Sequence, residues 1–252
     1  MQNVVIFGAS NVTLSLPLIW TSLSSNSREP VRLIVMAGHG RSFGKPSTVL
    51  GRRLPGILPC GGWDALRRLV PHDEPLKVLI TDIGNDIVYG VPTAELTGWV
   101  REVLDRLQAW RPSLVMTGLP LCSLRTLSAA RFRLFRTLFF PSSKVLFEDT
   151  QRIAHEVHSH VLQLATEYSA ELIEPQAEWY GIDPIHIRRR HRRVVWQQLL
   201  KPFVDRPTCR PLSSAECLRI WQLKPEQLWR GQRLIETAQP AERQNESELW
   251  LF

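Results

Sequence analysis

The chain has 252 residues, of which 44% are hydrophobic and 22% are charged. This composition is typical of a soluble globular protein and excludes a mainly disordered chain, which would hold fewer apolar residues. The 14 Gly and 18 Pro follow no repeat, which excludes a collagen-like chain. The chain has 31 Lys and Arg and 24 Asp and Glu, which gives a formal net charge of +7. Whether this charge marks a binding site depends on where the positive residues lie in the chain.

In chain order, short apolar runs alternate with helical patterns. The runs predict strands at residues 4–7, 31–37, 76–83, 113–118 and 171–173, and the helical patterns cover residues 12–23, 93–110, 129–140, 150–168 and 187–200. Such alternation is typical of a parallel sheet covered by helices on both faces. We therefore predict an α/β fold, a three-layer α/β/α sandwich with a parallel sheet of about five strands.

Two regions of different composition indicate the domain organisation. Residues 1–205 hold all of the predicted strands and helices and form the predicted domain. Residues 206–252 are predicted to be a C-terminal extension, which carries three of the nine Trp and therefore packs in part on the domain. Its polar stretch, residues 241–248, is predicted to be mobile.

The cysteines and the N-terminal segment bear on the compartment. The four cysteines form no C-x-x-C pair, so they are interpreted as reduced thiols rather than as a zinc or redox motif. The apolar run at residues 4–7 is too short for a secretory signal, and no window approaches the length of a membrane span. We expect a cytoplasmic protein without a transmembrane segment.

Polar and glycine-containing segments follow the predicted strands. Ser10 follows the first strand, Gly40 the second and Asn85 the third, while Asp183 and His186 stand three residues apart near the end of the domain. Ligands of such sheets bind at the carboxyl ends of the strands. An Asp can orient a His three residues away in the same loop, so these residues supply a nucleophile, a base, an orienting carboxylate and oxyanion donors.

Four blocks in this order resemble the SGNH hydrolases, also called GDSL-type esterases and lipases, which have a flavodoxin-like sheet. The blocks are Gly8-Ala9-Ser10-Asn11, the glycine-rich segment around Gly40, Gly84-Asn85-Asp86 and Asp183-Pro184-Ile185-His186. Two positions depart from the family pattern: Ala9 replaces the usual Asp, and Ile187 replaces the usual Pro. The first departure leaves open what braces the turn of the serine.

The resemblance implies a serine esterase or acyl hydrolase without a metal or an organic cofactor. Ser10 would be the nucleophile, His186 the base and Asp183 its orienting group, with Ser10, Gly40 and Asn85 forming the oxyanion hole. The substrate would be a small-molecule or polymer-linked ester. Four neighbouring residues are predicted to bind it: His39, Arg41, Asp86 and Arg188.

Three other interpretations remain open. The domain could keep the fold but lack catalysis, and bind a ligand or a partner instead.

The segment 186–193 holds five Arg and two His. Such a segment is typical of a basic nucleic-acid-binding module, of an anionic substrate site or of a solvated helix face. We expect no nucleic-acid partner. The histidines at 155, 158 and 160 lack the H-E-x-x-H spacing, so a solvated helix surface is favoured over a metal site.

Overall fold

The computed structural model describes residues 1–49, 51–125, 127–139, 145–181, 183–204 and 211–252. The strands are β1 (Gln2–Phe7), β2 (Val31–Met36), β3 (Ser47–Val49), β4 (Arg52–Leu54), β5 (Leu76–Ile80), β6 (Ser113–Thr117), β7 (Glu171–Ile173), β8 (Gln227–Arg230), β9 (Arg233–Glu236), β10 (Glu242–Gln244) and β11 (Ser247–Leu251). The α-helices are α1 (Ser10–Asn26), α2 (Gly62–Leu69), α3 (Thr93–Leu107), α4 (Leu121–Arg125), α5 (Ala129–Phe139), α6 (Phe147–Glu167), α7 (Arg192–Leu200) and α8 (Ser214–Trp221). Short 3-10 helices cover Ile83–Tyr89, Gln108–Trp110 and Ala177–Trp179.

The central sheet has seven strands in the order β10-β11-β2-β1-β5-β6-β7. Its five strands from the first 205 residues are all parallel, and they are the five that the sequence predicts. Their order along the sheet is second, first, third, fourth, fifth, which is the flavodoxin-like arrangement. The predicted α/β/α sandwich is thus confirmed, with two more strands than expected.

Helices cover both faces of this sheet because neighbouring strand residues point to opposite sides. Val5 and Phe7 pack against α2, α3 and α6, whereas Val4 and Ile6 pack against α1 and α7. The first and third strands, β1 and β5, are neighbours, and the chain leaves them in opposite directions toward β2 and β6. This junction is the point in such sheets where ligands bind.

The polar stretch that the sequence predicts to be mobile, residues 241–248, lies mostly in two strands. Residues 242–244 and 247–251 form β10 and β11, and β11 pairs in parallel with β2. Leu249 is fully buried, and Phe252 donates its N–H to the carbonyl of Val35 at 2.9 Å. The extension therefore continues the central sheet, while the predicted boundary at residues 205–206 falls on residues that are not described.

The extension also builds a second sheet, in the order β3-β4-β8-β9. Here β4 comes from the loop after β2, and it pairs antiparallel with β8 of the extension. Among the described residues no helix is both long and apolar enough to cross a membrane. Cys60, Cys122 and Cys217 are free thiols, and Cys209 lies outside the described residues.

The last predicted helix begins later than expected. The sequence predicts a helix from residue 187, but α7 starts at Arg192. Ile187 is buried, while Arg188, Arg189 and Arg190 lie exposed in the turn that precedes the helix. Three arginines of the basic segment are therefore turn residues rather than one face of a helix.

Candidate active site

The candidate nucleophile, Ser10, is the first residue of α1 and follows β1 after a two-residue turn. The turn is tight: a Cβ on Gly8 would lie 2.5 Å from Val12 Cγ2 and 2.9 Å from Thr81 Cγ2, so only glycine fits. Ser10 is 7% exposed. Its backbone N–H belongs to the first turn of a helix, where amides lack intrahelical acceptors and favour negative charge.

The turn of Ser10 is braced by Asp82, a residue that sequence reasoning missed. Asp82 Oδ2 accepts hydrogen bonds from the amides of Ala9 at 2.9 Å and Asn11 at 3.0 Å, and its Oδ1 accepts from Asn11 Nδ2 at 2.8 Å. The turn has Ala9 at the position before Ser10, and its carboxylate thus comes from a residue two positions beyond the neighbouring strand β5. No sequence signal pointed to it, because Asp82 lies inside the strand predicted at residues 76–83, whereas β5 ends at Ile80.

Asp183 and His186 form the pair that the sequence predicts. His186 Nδ1 lies 2.6 Å from Asp183 Oδ2, while Asp183 Oδ1 accepts from the amides of Ile185 and His186, both at 3.0 Å. Burial alone would raise the pKa of Asp183, but the hydrogen bonds and charge of His186 and these amides hold it below its usual value. The carboxylate therefore stays ionised and fixes the orientation of the imidazole.

Asn11 joins this loop to the turn of the nucleophile. Its Nδ2 donates to the carbonyl of Ile185 at 2.9 Å, and its Oδ1 accepts from the amide of Ile187 at 2.9 Å. These two partners flank His186 in the sequence. Asn11, the neighbour of Ser10, thus fixes the backbone on both sides of His186, the candidate base.

The predicted oxyanion residues Gly40 and Asn85 also belong to one bonded unit. Gly40 has φ +63°, and a Cβ there would lie 2.8 Å from Tyr89 Oη, which donates to the Gly40 carbonyl at 2.6 Å. Asn85 Nδ2 donates to the carbonyl of Arg41 at 3.0 Å. The segment after β2 is therefore fixed against the 3-10 helix that carries Asn85 and Tyr89.

The predicted substrate contact of Arg41 is wrong, because the side chain is fully buried. Its guanidinium donates to backbone carbonyls, from Nε to Pro55 at 3.0 Å and from Nη1 to Phe252. Burial lowers the pKa of Arg41. The side chain thus holds the segment next to Gly40 against the end of β11.

The predicted substrate contact of Asp86 is also wrong, since this carboxyl has no exposed surface. Asp86 Oδ2 accepts a hydrogen bond from the amide of Phe43 at 2.9 Å. Burial raises the pKa of Asp86 to about 6. Like Arg41, Asp86 is a buried side chain that fixes the segment after β2 by a hydrogen bond.

His39 lies within reach of the charge of His186, the candidate base. Burial lowers its pKa, and the positive charges of His186, Arg52 and Arg192 lower it further. It lines a second cavity of about 110 Å³, together with Arg52 and the Trp221 of the extension. Its contact with substrate stays a prediction.

An apolar cavity opens beside Ser10 and Asn85. Its volume is about 90 Å³, and most of its lining side chains are apolar. They include Ile83, Ile87, Val88, Leu119, Leu124, Leu127 and Phe132. A small apolar group bound here would lie against the candidate nucleophile.

A groove on another side of the pair holds the predicted substrate residue Arg188. The groove measures about 570 Å³ and is lined by Asp183, His186 and four arginines, which are Arg188, Arg189, Arg190 and Arg192. The basic segment thus lies beside the candidate base.

The described residues contain no group of three or more His, Cys, Asp or Glu that could hold a metal ion. Of the three histidines weighed for a metal, His158 has partners of its own. Its Nδ1 accepts from the amide of Leu119 at 3.2 Å, and its Nε2 lies 3.5 Å from Glu174.

Comparisons with known proteins identify the fold. No family model and no curated protein matches the chain. A member of the lipolytic protein G-D-S-L family from Veillonella parvula matches with a TM-score of 0.51 and 12% identity, over 81% of this chain and 98% of that chain. The aryl esterase of M. smegmatis matches with a TM-score of 0.49 and 13% identity, over 80% and 99%. The match to the G-D-S-L protein shows that the chain has an SGNH hydrolase-like fold, as the four blocks predict.

Proposed function

We propose that the chain is a serine hydrolase that cleaves carboxylic esters through Ser10, His186 and Asp183. One observation carries the proposal: Asp183 lies 2.6 Å from His186 in a loop that Asn11 bonds to the turn of Ser10. An orienting carboxylate, an imidazole and a serine at a helix start are the groups that acyl transfer needs. The fold shared with a G-D-S-L lipolytic protein supports the same class of reaction.

In the first half of the reaction, Ser10 Oγ attacks the ester carbonyl while His186 Nε2 takes its proton. Asp183 accepts the hydrogen bond of Nδ1–H, so it holds the tautomer in which Nε2 can accept that proton. The carbonyl oxygen becomes negative. We assign the backbone amides of Ser10 and Gly40 and the side-chain amide of Asn85 as its donors.

In the second half, His186 gives its proton to the leaving alkoxide, and the acyl group stays on Ser10. Water then attacks this acyl ester, with His186 as the base, and releases the carboxylic acid. An alcohol that replaced this water would receive the acyl group instead, so the same residues also support transfer.

A fluorophosphonate probe tests the proposal directly. We expect the probe to phosphonylate Ser10 Oγ with loss of fluoride, which mass spectrometry of the peptide containing Ser10 detects. His186→Gln should abolish the labelling because the serine loses its base. Absence of labelling in the native chain would contradict the proposal and favour the catalytically silent ligand-binding domain.

The apolar cavity predicts a preference for short acyl groups. A 150 Å³ cavity holds one benzene molecule, and the cavity beside Ser10 measures about 90 Å³. We expect kcat/KM for the p-nitrophenyl acetate, propionate or butyrate to exceed that for the octanoate by about tenfold or more. A series of p-nitrophenyl esters, followed by absorbance, measures this ratio.

Two leucine variants test whether the cavity beside Ser10 causes the preference for short acyl groups. Leu119→Ala enlarges the cavity and should shift the preference toward longer acyl groups. Leu104→Ala removes an equally buried leucine that does not line this cavity, and it should leave the preference unchanged. Equal rates for the butyrate and octanoate in the native chain would show that the acyl group binds elsewhere.

A further inference from the structure

The groove beside His186 carries positive charge that the described residues do not balance. Four arginines line it, and no carboxylate forms an ion pair with Arg188, Arg189 or Arg190 in the part of the chain that is described. Some exposed arginines elsewhere do have such partners, as in the pairs of Arg101 with Glu167 and Arg152 with Glu156. Arg188 and Arg189 are therefore available to an external anion.

The start of α7 adds to this excess. The first turn of this helix holds no acidic residue, and its first two residues are Arg192 and Arg193. The N-terminus of a helix already carries a partial positive charge, so arginines there repel it. An anion bound in the groove would relieve this repulsion.

One arginine of the groove is held by backbone hydrogen bonds, and another packs against a glycine. Arg188 lies against Gly181, where an added Cβ would come within 2.5 Å of its Nε. Arg192 donates from Nε to the carbonyl of Ile187 at 3.2 Å and from Nη1 to that of Leu14 at 3.3 Å. Because the Arg192 guanidinium is already oriented, binding an anion orders it at a smaller entropic cost.

The location of the groove tells which part of a substrate it would meet. His186 lines the groove, and in the proposed reaction His186 passes its proton to the leaving alcohol. The acyl group has an apolar cavity beside Ser10 and Asn85. The alcohol part therefore extends along the arginines.

We propose that this groove binds a phosphate group carried by the alcohol part of the ester substrate. The inference rests on the proposed function and names its substrate class. A phosphate monoester is close to dianionic at neutral pH, and the planar fork of a guanidinium matches its oxygens with two parallel hydrogen bonds. Several arginines around one groove suit such a group better than a single negative charge.

Two esters that differ in the phosphate test this inference. One is 2-acetoxyethyl phosphate and the other is 2-methoxyethyl acetate, with acetate release measured for both. We expect kcat/KM to be about tenfold or more higher for the phosphate ester, because hydrogen bonds between charged groups are the stronger class. This ratio should fall as NaCl rises from 0.05 to ~0.5 M, since the site is exposed to solvent.

The double variant Arg188→Gln/Arg189→Gln should bring the ratio of the two esters close to one. Both side chains are exposed, so the thermal melting temperature should stay near that of the native chain. The matched control is Arg233→Gln, which removes an exposed positive charge from β9, outside the groove, and should keep the ratio. A ratio that survives in the double variant would overturn the inference.

Binding is measured apart from hydrolysis by titrating 2-acetoxyethyl phosphate into the Ser10→Ala variant by calorimetry. Saturable binding that the double variant loses supports the groove, even if the native chain hydrolyses neither ester. That combination would overturn the proposed function alone. Hydrolysis of 2-methoxyethyl acetate without any preference for the phosphate ester would overturn the groove alone. Tight binding of duplex DNA at ~0.15 M NaCl, without preference for the phosphate ester, would also overturn it in favour of a nucleic-acid site.

Discussion

Replacing Ser10 with alanine is expected to lower kcat for p-nitrophenyl acetate by at least about 10³-fold. The variant keeps the oxyanion donors and the bound geometry, but it lacks the oxygen that forms the acyl intermediate. Only the slower direct attack of water on the bound ester would remain. The loss is measured with purified protein by absorbance, and labelling by a fluorophosphonate should disappear in the same variant.

The chain offers a matched control on the same helix. Ser15 of α1 is also buried, and its hydroxyl has no hydrogen-bond partner among the described residues. Ser15→Ala therefore removes an unpaired polar atom of the same kind, five residues further along. We expect it to keep kcat within about twofold and to keep or raise the melting temperature, because an unpaired buried hydroxyl destabilises the fold.

Other outcomes would contradict the assignment. If Ser10→Ala retains native activity while folded, another residue is the nucleophile. If Ser15→Ala loses as much activity as Ser10→Ala, the effect comes from the packing of α1 and not from the chemistry of Ser10. A comparison of far-ultraviolet circular dichroism among the three chains separates a folding defect from a catalytic one.

The parallel core could be predicted because local patterns determine it. Each of its five strands is a short apolar run followed by a polar or glycine-containing turn, and a strand buried on both faces needs such a run. The carboxyl ends of parallel strands share one edge of the sheet, so residues as distant as Ser10 and Asn85 were expected at one site. Both do line one cavity.

The buried charges could not be predicted, because their partners lie far away in the chain. Arg41 and Asp86 are charged, and charged residues are rarely buried unless they are paired. Carbonyls of Pro55 and Phe252 accept hydrogen bonds from Arg41, and the amide of Phe43 donates to one oxygen of Asp86, Oδ2. These contacts depend on how the segment after β2 folds back, which no local pattern reveals.

The last two strands escaped prediction for a different reason. The two-residue loop between β10 and β11 consists of Asn245 and Glu246, and both have positive φ, at 49° and 63°. Such loops favour tight hairpins, and Asn-Gly is their usual sequence signal. With Glu in place of Gly, the polar stretch resembled a mobile segment.

The extension has a structural consequence for the candidate site. Phe252 accepts a hydrogen bond from Arg41, and β8 pairs with β4 of the segment that follows Gly40. Both contacts hold the segment that carries one proposed oxyanion donor. The extension, whose role the sequence did not reveal, thus stabilises the segment that carries Gly40.

Asp82→Asn is expected to lower both stability and activity. Asp82 accepts three hydrogen bonds that hold the turn of Ser10. An asparagine has one acceptor oxygen, so its NH₂ group would face one of these donors. We expect the free energy of unfolding to fall by about 1–3 kcal/mol and the melting temperature by roughly 3–10 °C.

Asparagine is chosen so that the variant loses a hydrogen-bond acceptor without a change in backbone strain at position 82. Asp82 has φ 58°, a left-handed conformation that Asn adopts as readily as Asp. The change therefore removes the acceptor without adding backbone strain. Because a displacement of about 1 Å at a reacting group can cost ~100-fold, we expect kcat to fall by roughly 10- to 100-fold.

Asp64→Asn is the matched control, since Asp64 lies exposed on α2 and pairs only with the exposed Arg67. Such surface pairs contribute about 0–1 kcal/mol, so activity and melting temperature should stay close to native values. Thermal melts and initial rates on p-nitrophenyl acetate measure both effects. If Asp82→Asn melts lower but keeps its kcat, the brace serves stability alone. If it changes neither, the serine turn is held by Gly8 and Asn11 without Asp82.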